Sequence, residues 1–252
     1  MSESNTERLK VVYRHETLSA PSVLNCMEAI LSRHEIPLTG FELFGKAIDL
    51  DDVLSATQKA NRRGFDLQGH GFGFLLASLP RFRLDFVSID AATPPKIAWD
   101  EWMGELGGSP DFLLAWVVDV EYDRWQNAKD PLLFKVAGKP YEHLPMRSNG
   151  LPRPFEQKVV DTSSNPGRWS FRDGWIEAVG AVMWLGEAFW PLTRADRHEV
   201  ASRDGLRISN PIPSVTRIQS ADRNFTTAEG GSGELQTRLR SLLFPESAGT
   251  AE

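Results

Sequence analysis

The chain has 252 residues, with 34 acidic against 28 basic side chains, a formal net charge of −6 and a pI near 5.5. At 41% hydrophobic and 25% charged residues, the composition is that of a globular chain long enough to bury a sizeable core. The acidic balance excludes non-specific binding to nucleic acid or an anionic membrane, because no surplus of Lys and Arg meets phosphates, and it leaves a basic protein as an allowed partner.

The first ten residues, MSESNTERLK, contain no apolar core of a secretory signal, and the apolar stretch Ala178 to Gly186 is too short to span a bilayer. Cys26 is the only cysteine, so no internal disulfide forms. Together these features lead us to expect a cytoplasmic protein. We expect one compact domain over 1–252, frayed at about 1–8 and at 245–252, where the polar tail PESAGTAE lies.

Leu9 to Tyr13 (LKVVY) reads as an opening strand. From Ser22 to His34, Val23, Leu24, Met27, Ile30 and Leu31 follow helical spacing, with Ser19 as a cap. A second helix is expected over Leu50–Arg62, with Gly64 as its C-cap. Two strands follow, Gly71–Ser78 and Arg81–Asp90; the second places Phe82, Leu84 and Phe86 on one face and Arg81, Arg83 and Asp85 on the other. Trp99, Trp102, Met103 and Leu106 mark a short helix ending at Gly107-Gly108.

Phe112 to Tyr122 is an apolar run that turns to alternation, with Val118, Val120 and Tyr122 opposed to Asp119, Glu121 and Asp123. That pattern predicts a strand leaving the core. Five prolines make Asp130–Pro154 mostly loop. Short strands are expected at Val159–Thr162 and Trp169–Arg172, around the turn Asn165-Pro166-Gly167, with Arg168 anchoring Asp161 or Asp173. Trp175–Leu185 is a buried strand or helix. A helix near Ala195–Ser202, a strand over Ser214–Ser220, a flexible Glu229–Gly233 connector and a helix over Glu234–Phe244 complete the chain. With no regular βαβ rhythm, the fold class is α+β, a mixed or antiparallel sheet with several packed helices.

Asp119, Glu121 and Asp123 carry the strongest candidate chemistry. On a strand, period two would align the three carboxylates within about 14 Å. Such a row meets a basic partner, holds a hard cation or supplies an acid–base pair. The bland alternative is the solvated face of a half-buried strand. Between the two functional uses, a partner surface is favoured, because a Mg²⁺ or Ca²⁺ site needs oxygens converging from several directions. The five histidines show no zinc spacing, and Gly69-His70-Gly71-Phe72-Gly73 lacks the Lys and Ser/Thr of a phosphate loop. All eight tryptophans fall between Trp99 and Trp190. Most fill core; one or two at an interface would act as anchors, Trp125 first among them.

The segments WVVDVEYDRWQNAKDPL (Trp116–Leu132), NPGR (Asn165–Arg168) and GWIEAVGAVMWLGEAFWPL (Gly174–Leu192) resemble bacterial immunity protein family 52. That resemblance implies a non-catalytic cytoplasmic α+β protein with no cofactor, which binds and neutralises a cognate nuclease toxin delivered by type VI secretion. It carries no set of contact residues. From chemistry, Asp119, Glu121 and Asp123 are the electrostatic contacts, with Tyr122 and Trp125 beside them as anchors. The alternative is a metal-dependent hydrolase using the same three carboxylates.

Overall fold

The computed structural model describes residues 6–60 and 63–245. Its first half runs β1 (Thr6–Arg14), α1 (Ala20–Arg33), β2 (Phe41–Leu43), β3 (Lys46–Ile48), α2 (Leu50–Lys59), β4 (Phe65–Gly69), β5 (Phe72–Leu79), β6 (Leu84–Ala92), α3 (Trp99–Leu106) and β7 (Phe112–Asp119). Next come α4 (Val120–Asn127), α5 (Pro131–Val136), β8 (Met146–Ser148), β9 (Lys158–Val160), β10 (Ser170–Arg172) and β11 (Trp175–Glu177). The chain closes with β12 (Val182–Gly186), α6 (Phe189–Thr193), α7 (Arg197–Ser202), β13 (Arg207–Ile212), β14 (Val215–Gln219) and α8 (Gly230–Leu243).

Among the described residues, ten strands form one sheet in the order β13-β14-β12-β7-β1-β6-β5-β4-β2-β3, every pairing antiparallel. The α+β class therefore holds. β1 lies near the middle because both its faces are apolar enough to be covered. Leu9, Val11 and Tyr13 point into a core roofed by α1, α2 and α3, while Val12 joins a second core beneath β11, α6, α7 and α8. Trp102 anchors the first core; Trp116 and Trp190 pack in the second. Four of the eight tryptophans are buried and four half-buried, so none stands free in solvent. The second layer does not reach the end of the sheet: Leu75 on β5 is exposed.

α1 begins as its sequence dictates. Ser19 accepts from Ser22 N and Ser22 Oγ returns the contact to Ser19 N, both at 3.3 Å, a reciprocal cap next to Pro21 in the first turn. Removing it by Ser19→Ala should cost about 1 kcal/mol, read as a lower denaturation midpoint with unchanged denaturant slope.

Several expectations change. Residues 6–8, expected to fray, pair with β6 and β7; 1–5 and 246–252 lie outside the described residues. α2 stops at Lys59 with Ala60 as C-cap, and positions 61 and 62 lie outside the described residues. Gly64 is no cap; it lets the chain pass so close to β5 that a Cβ would strike the Leu76 carbonyl. His70 and Gly71, both at positive φ, form a two-residue turn joining β4 to β5. Asp85, placed by alternation on the face opposite Leu84 and Phe86, is buried and accepts from Ser78 Oγ at 2.8 Å and Leu18 N at 3.3 Å.

Trp175–Leu185 is two strands, β11 and β12, with Ala178–Ala181 between them. The Glu229–Gly233 run is the first turn of α8, where a Cβ on Gly233 would run into the Ala228 carbonyl. Backbone proximity selects glycine there, so Gly233→Ala should destabilise α8 by more than its helix propensity would gain, measurable as a lower thermal midpoint.

Candidate functional site

Of the residues singled out from the sequence, Asp119 ends β7 and the other four, Glu121, Tyr122, Asp123 and Trp125, sit on α4, a helix and not a strand. β7 ends at Asp119, whose carboxylate accepts from Tyr122 N at 2.8 Å and so starts the helix. On a helix, residues two apart point about 200° from one another, so Glu121 and Asp123 face opposite ways, Asp119 is taken up as the cap, and the aligned row does not exist. Glu121 is exposed, receiving Trp125 Nε1 at 3.0 Å and Lys139 Nζ at 3.3 Å. The Trp125 hydrogen bond, with that from Lys139, holds its carboxyl below the usual range. Asp123 is buried against Lys10 Nζ at 2.6 Å. The pattern that could have told helix from strand is an Asp cap followed by acidic residues in the first turn.

α4 separates two concavities. On one side lies a cleft of about 910 Å³, walled by α4 and by the chain excursion between α4 and β9. Asp119, Glu121, Tyr122 and Trp125 line it; Asp123 does not. Four carboxylates (Asp119, Glu121, Asp161, Glu229) face two cations (Arg124, Lys139), which leaves the cleft net negative. Trp125 packs its ring 5.0 Å from Phe134, with the Lys139 ammonium 4.9 Å and the Arg124 guanidinium 5.0 Å from its centroid. Tyr122 is half-buried and donates its hydroxyl to Gln236 of α8 at 2.9 Å. Gly167 sits against that ring at ordinary φ: it is needed for close approach, since a Cβ would fall 2.7 Å from Tyr122 Cε1.

The excursion is not the open loop expected. Asp130 caps α5, β8 pairs with β9, and Ala128, Phe134 and Val160 form a small core of their own. It also holds six of the eight exposed large apolar residues among the described ones: Leu132, Leu133, Val136, Met146, Leu151 and Phe155. Val136 and Phe155 are 80% and 67% exposed. Between positions 129 and 158 there are six Lys or Arg against three Asp or Glu, a basic segment in an acidic chain. Exposed large apolar side chains thus fall in this one segment more than anywhere else among the described residues.

Arg168 meets neither Asp161 nor Asp173. Its guanidinium lies 3.4 Å from Glu177, the fully buried carboxylate of β11, which also receives Arg240 at 2.7 Å and Arg172 at 2.8 Å. Asp161 instead accepts from Ser163 N, and Asp173 pairs with Arg83. Arg240 further donates to the Pro166 carbonyl at 3.0 Å, tying α8 to the Asn165–Arg168 turn. Burial, with Arg168 close by, lowers the Arg240 pKa to about 10 against the opposing pull of Glu177. Sequence reading missed this cluster because Glu177 lies inside the apolar run WIEAVGAV.

Among the described residues, no three His, Cys, Asp or Glu side chains gather closely enough to hold a metal ion. The ligand set of the hydrolase alternative is thus not assembled: Asp119 caps a helix, Glu121 faces solvent and Asp123 belongs to Lys10. Cys26 is half-buried beside the Glu105 carbonyl, and burial pushes its thiol pKa up, away from a nucleophile's range.

No family model and no curated protein matches this sequence. Among solved structures, the Pseudomonas aeruginosa T6SS protein PA0821 aligns with a TM-score of 0.56 over 96% of this chain and 72% of its own. The two share a fold. At 8% identity the likeness extends to architecture and not to individual side chains. No helix among the described residues is long and apolar enough to cross a membrane.

Proposed function

We propose that this chain is an immunity protein, which binds a cognate type VI secretion nuclease toxin stoichiometrically in the cytoplasm and blocks it without turnover. The observation that carries the reading is the fold it shares, along nearly its whole length, with a T6SS protein. Exposed apolar residues on the excursion and the net-negative cleft beside α4 are the features a protein-binding role would use. A nuclease offers a cationic cleft to nucleic acid, and carboxylates such as Glu121 would speed encounter with it. Val136 and Phe155 would supply the desolvated centre of the contact, and Trp125 an aromatic edge. Asp123 leaves the contact set, because its carboxylate is buried and paired with Lys10. Tyr122 contributes only the ring face left open in the cleft.

Binding of a candidate type VI secretion nuclease toxin, followed by calorimetry, tests the reading. Replacing Val136 and Phe155 together by aspartate should weaken binding by about thirtyfold or more, the effect of losing a hot spot. Glu121→Lys should mainly slow association, most visibly at low salt. Full affinity in all these variants would remove the surface assignment; a wild-type chain that does not bind would remove the function.

A further inference from the structure

On the other side of α4, the uncovered part of the sheet forms a pocket of about 260 Å³. Its floor is one row across three strands: Trp116 of β7 lies opposite Lys10 of β1, which lies opposite Ser88 of β6. Phe86, Trp169 and Phe171 complete an aromatic wall. The polar floor carries no net charge. Lys10 and Asp123, both buried, are closed on each other, and at the rim Arg8 and Asp90 form a two-pronged pair.

Two residues lining the pocket carry a polar group without a partner among the described residues, the Ser88 hydroxyl and the buried Trp169 indole N–H. Ser88 is 5% exposed, lines the pocket, and its hydroxyl makes no hydrogen bond among the described residues. That hydroxyl opens onto the pocket, where a ligand can meet it. The Lys10 ammonium, bonded to one carboxylate oxygen and lying 4.9 Å from the Trp169 ring centroid, keeps further donor capacity beside it.

We propose that this pocket binds a small neutral aromatic alcohol, a phenol. Its ring packs against Phe86, Trp116, Trp169 and Phe171, and its hydroxyl bonds to Ser88 and the Lys10–Asp123 pair. The volume suffices, since a cavity of roughly 150 Å³ already takes benzene. Net neutrality of the floor selects against carboxylates and amines, because a charged ligand would lose its hydration with no free counter-charge. This site stands apart from the proposed toxin contact and does not depend on it.

Titration of the full chain with p-cresol, toluene and p-toluate, followed by the indole N–H resonances of Trp116 and Trp169, tests it. The p-cresol should give saturable shifts with a Kd about tenfold below those of toluene and p-toluate, the yield of a matched hydrogen bond. Ser88→Ala should bring p-cresol to the level of toluene, and Ala77→Phe, which fills the pocket, should abolish both. Absent saturable shifts, equal binding of p-cresol and toluene to the wild type, or p-cresol affinity unchanged by Ser88→Ala would each overturn the proposal.

Discussion

Replacing Glu177 by alanine should lower the unfolding free energy by about 3–5 kcal/mol, the cost of leaving buried charge without its partner. Three guanidiniums converge on this one fully buried carboxylate, and two of them, Arg168 and Arg240, hold the Asn165–Arg168 turn and α8 in place. Loss of Glu177 would leave Arg240, almost fully buried on α8, without a counter-ion. Denaturant unfolding near neutral pH measures the effect. Its pH dependence has a definite sign. Burial pushes the Glu177 carboxyl upward, but hydrogen bonds from Arg172 and Arg240 outweigh it and leave the pKa below its usual value. The stabilisation is therefore complete above the unfolded value of about 4.3 and is lost as pH falls through the lower folded value. The gap between wild type and Glu177→Ala should close in acid.

Asp123→Ala should be comparably severe, about 3–5 kcal/mol, whereas Glu121→Ala two residues earlier should stay within about 0.5 kcal/mol. The contrast follows from α4 being a helix: Asp123 points inward to Lys10 and Glu121 outward to solvent. Burial lowers the Lys10 pKa while Asp123 pulls it up. Without Asp123 the depressed value falls further, so the unfolded chain binds more protons over the interval up to about 10.4 and the variant's stability rises with pH across it. Replacing both partners, Lys10→Met with Asp123→Leu, should recover most of the loss, since two apolar groups leave no orphaned charge. Equal effects at 121 and 123 would restore the strand geometry that the structure replaces.

The fold was legible where one physical signal acted alone. The helical spacing of Val23, Leu24, Met27, Ile30 and Leu31 and the Ser19 cap specify α1, and β-branched residues specify β1. Reading failed where two signals compete. Asp119-Val-Glu121-Tyr-Asp123 alternates like a strand, but an acidic first turn behind an aspartate cap is also a helix start, and the cap prevailed. Gly64 and Gly167 resemble a cap and a turn residue, yet each answers to a backbone or side chain packed against it from elsewhere in the chain, and Gly233 to the Ala228 carbonyl five residues before it. Glu177 and Gln236 look misplaced in their apolar settings until Arg240 and Tyr122 are brought to them by the fold. Of the candidate site, the segment was legible and the direction of its side chains was not. Asp119, Glu121, Tyr122 and Trp125 share the cleft; Asp123 lies behind them.

The central claim is stoichiometric inhibition, and a titration of nuclease activity tests it most directly. Increasing amounts of this chain are added to a fixed, known concentration of a type VI secretion nuclease that it binds, with DNA degradation as the readout. Activity should fall linearly and reach zero at a fixed stoichiometric endpoint, with the complex isolated intact by gel filtration. Undiminished DNA degradation in excess chain, or inhibition at far less than one equivalent through turnover, would contradict the account.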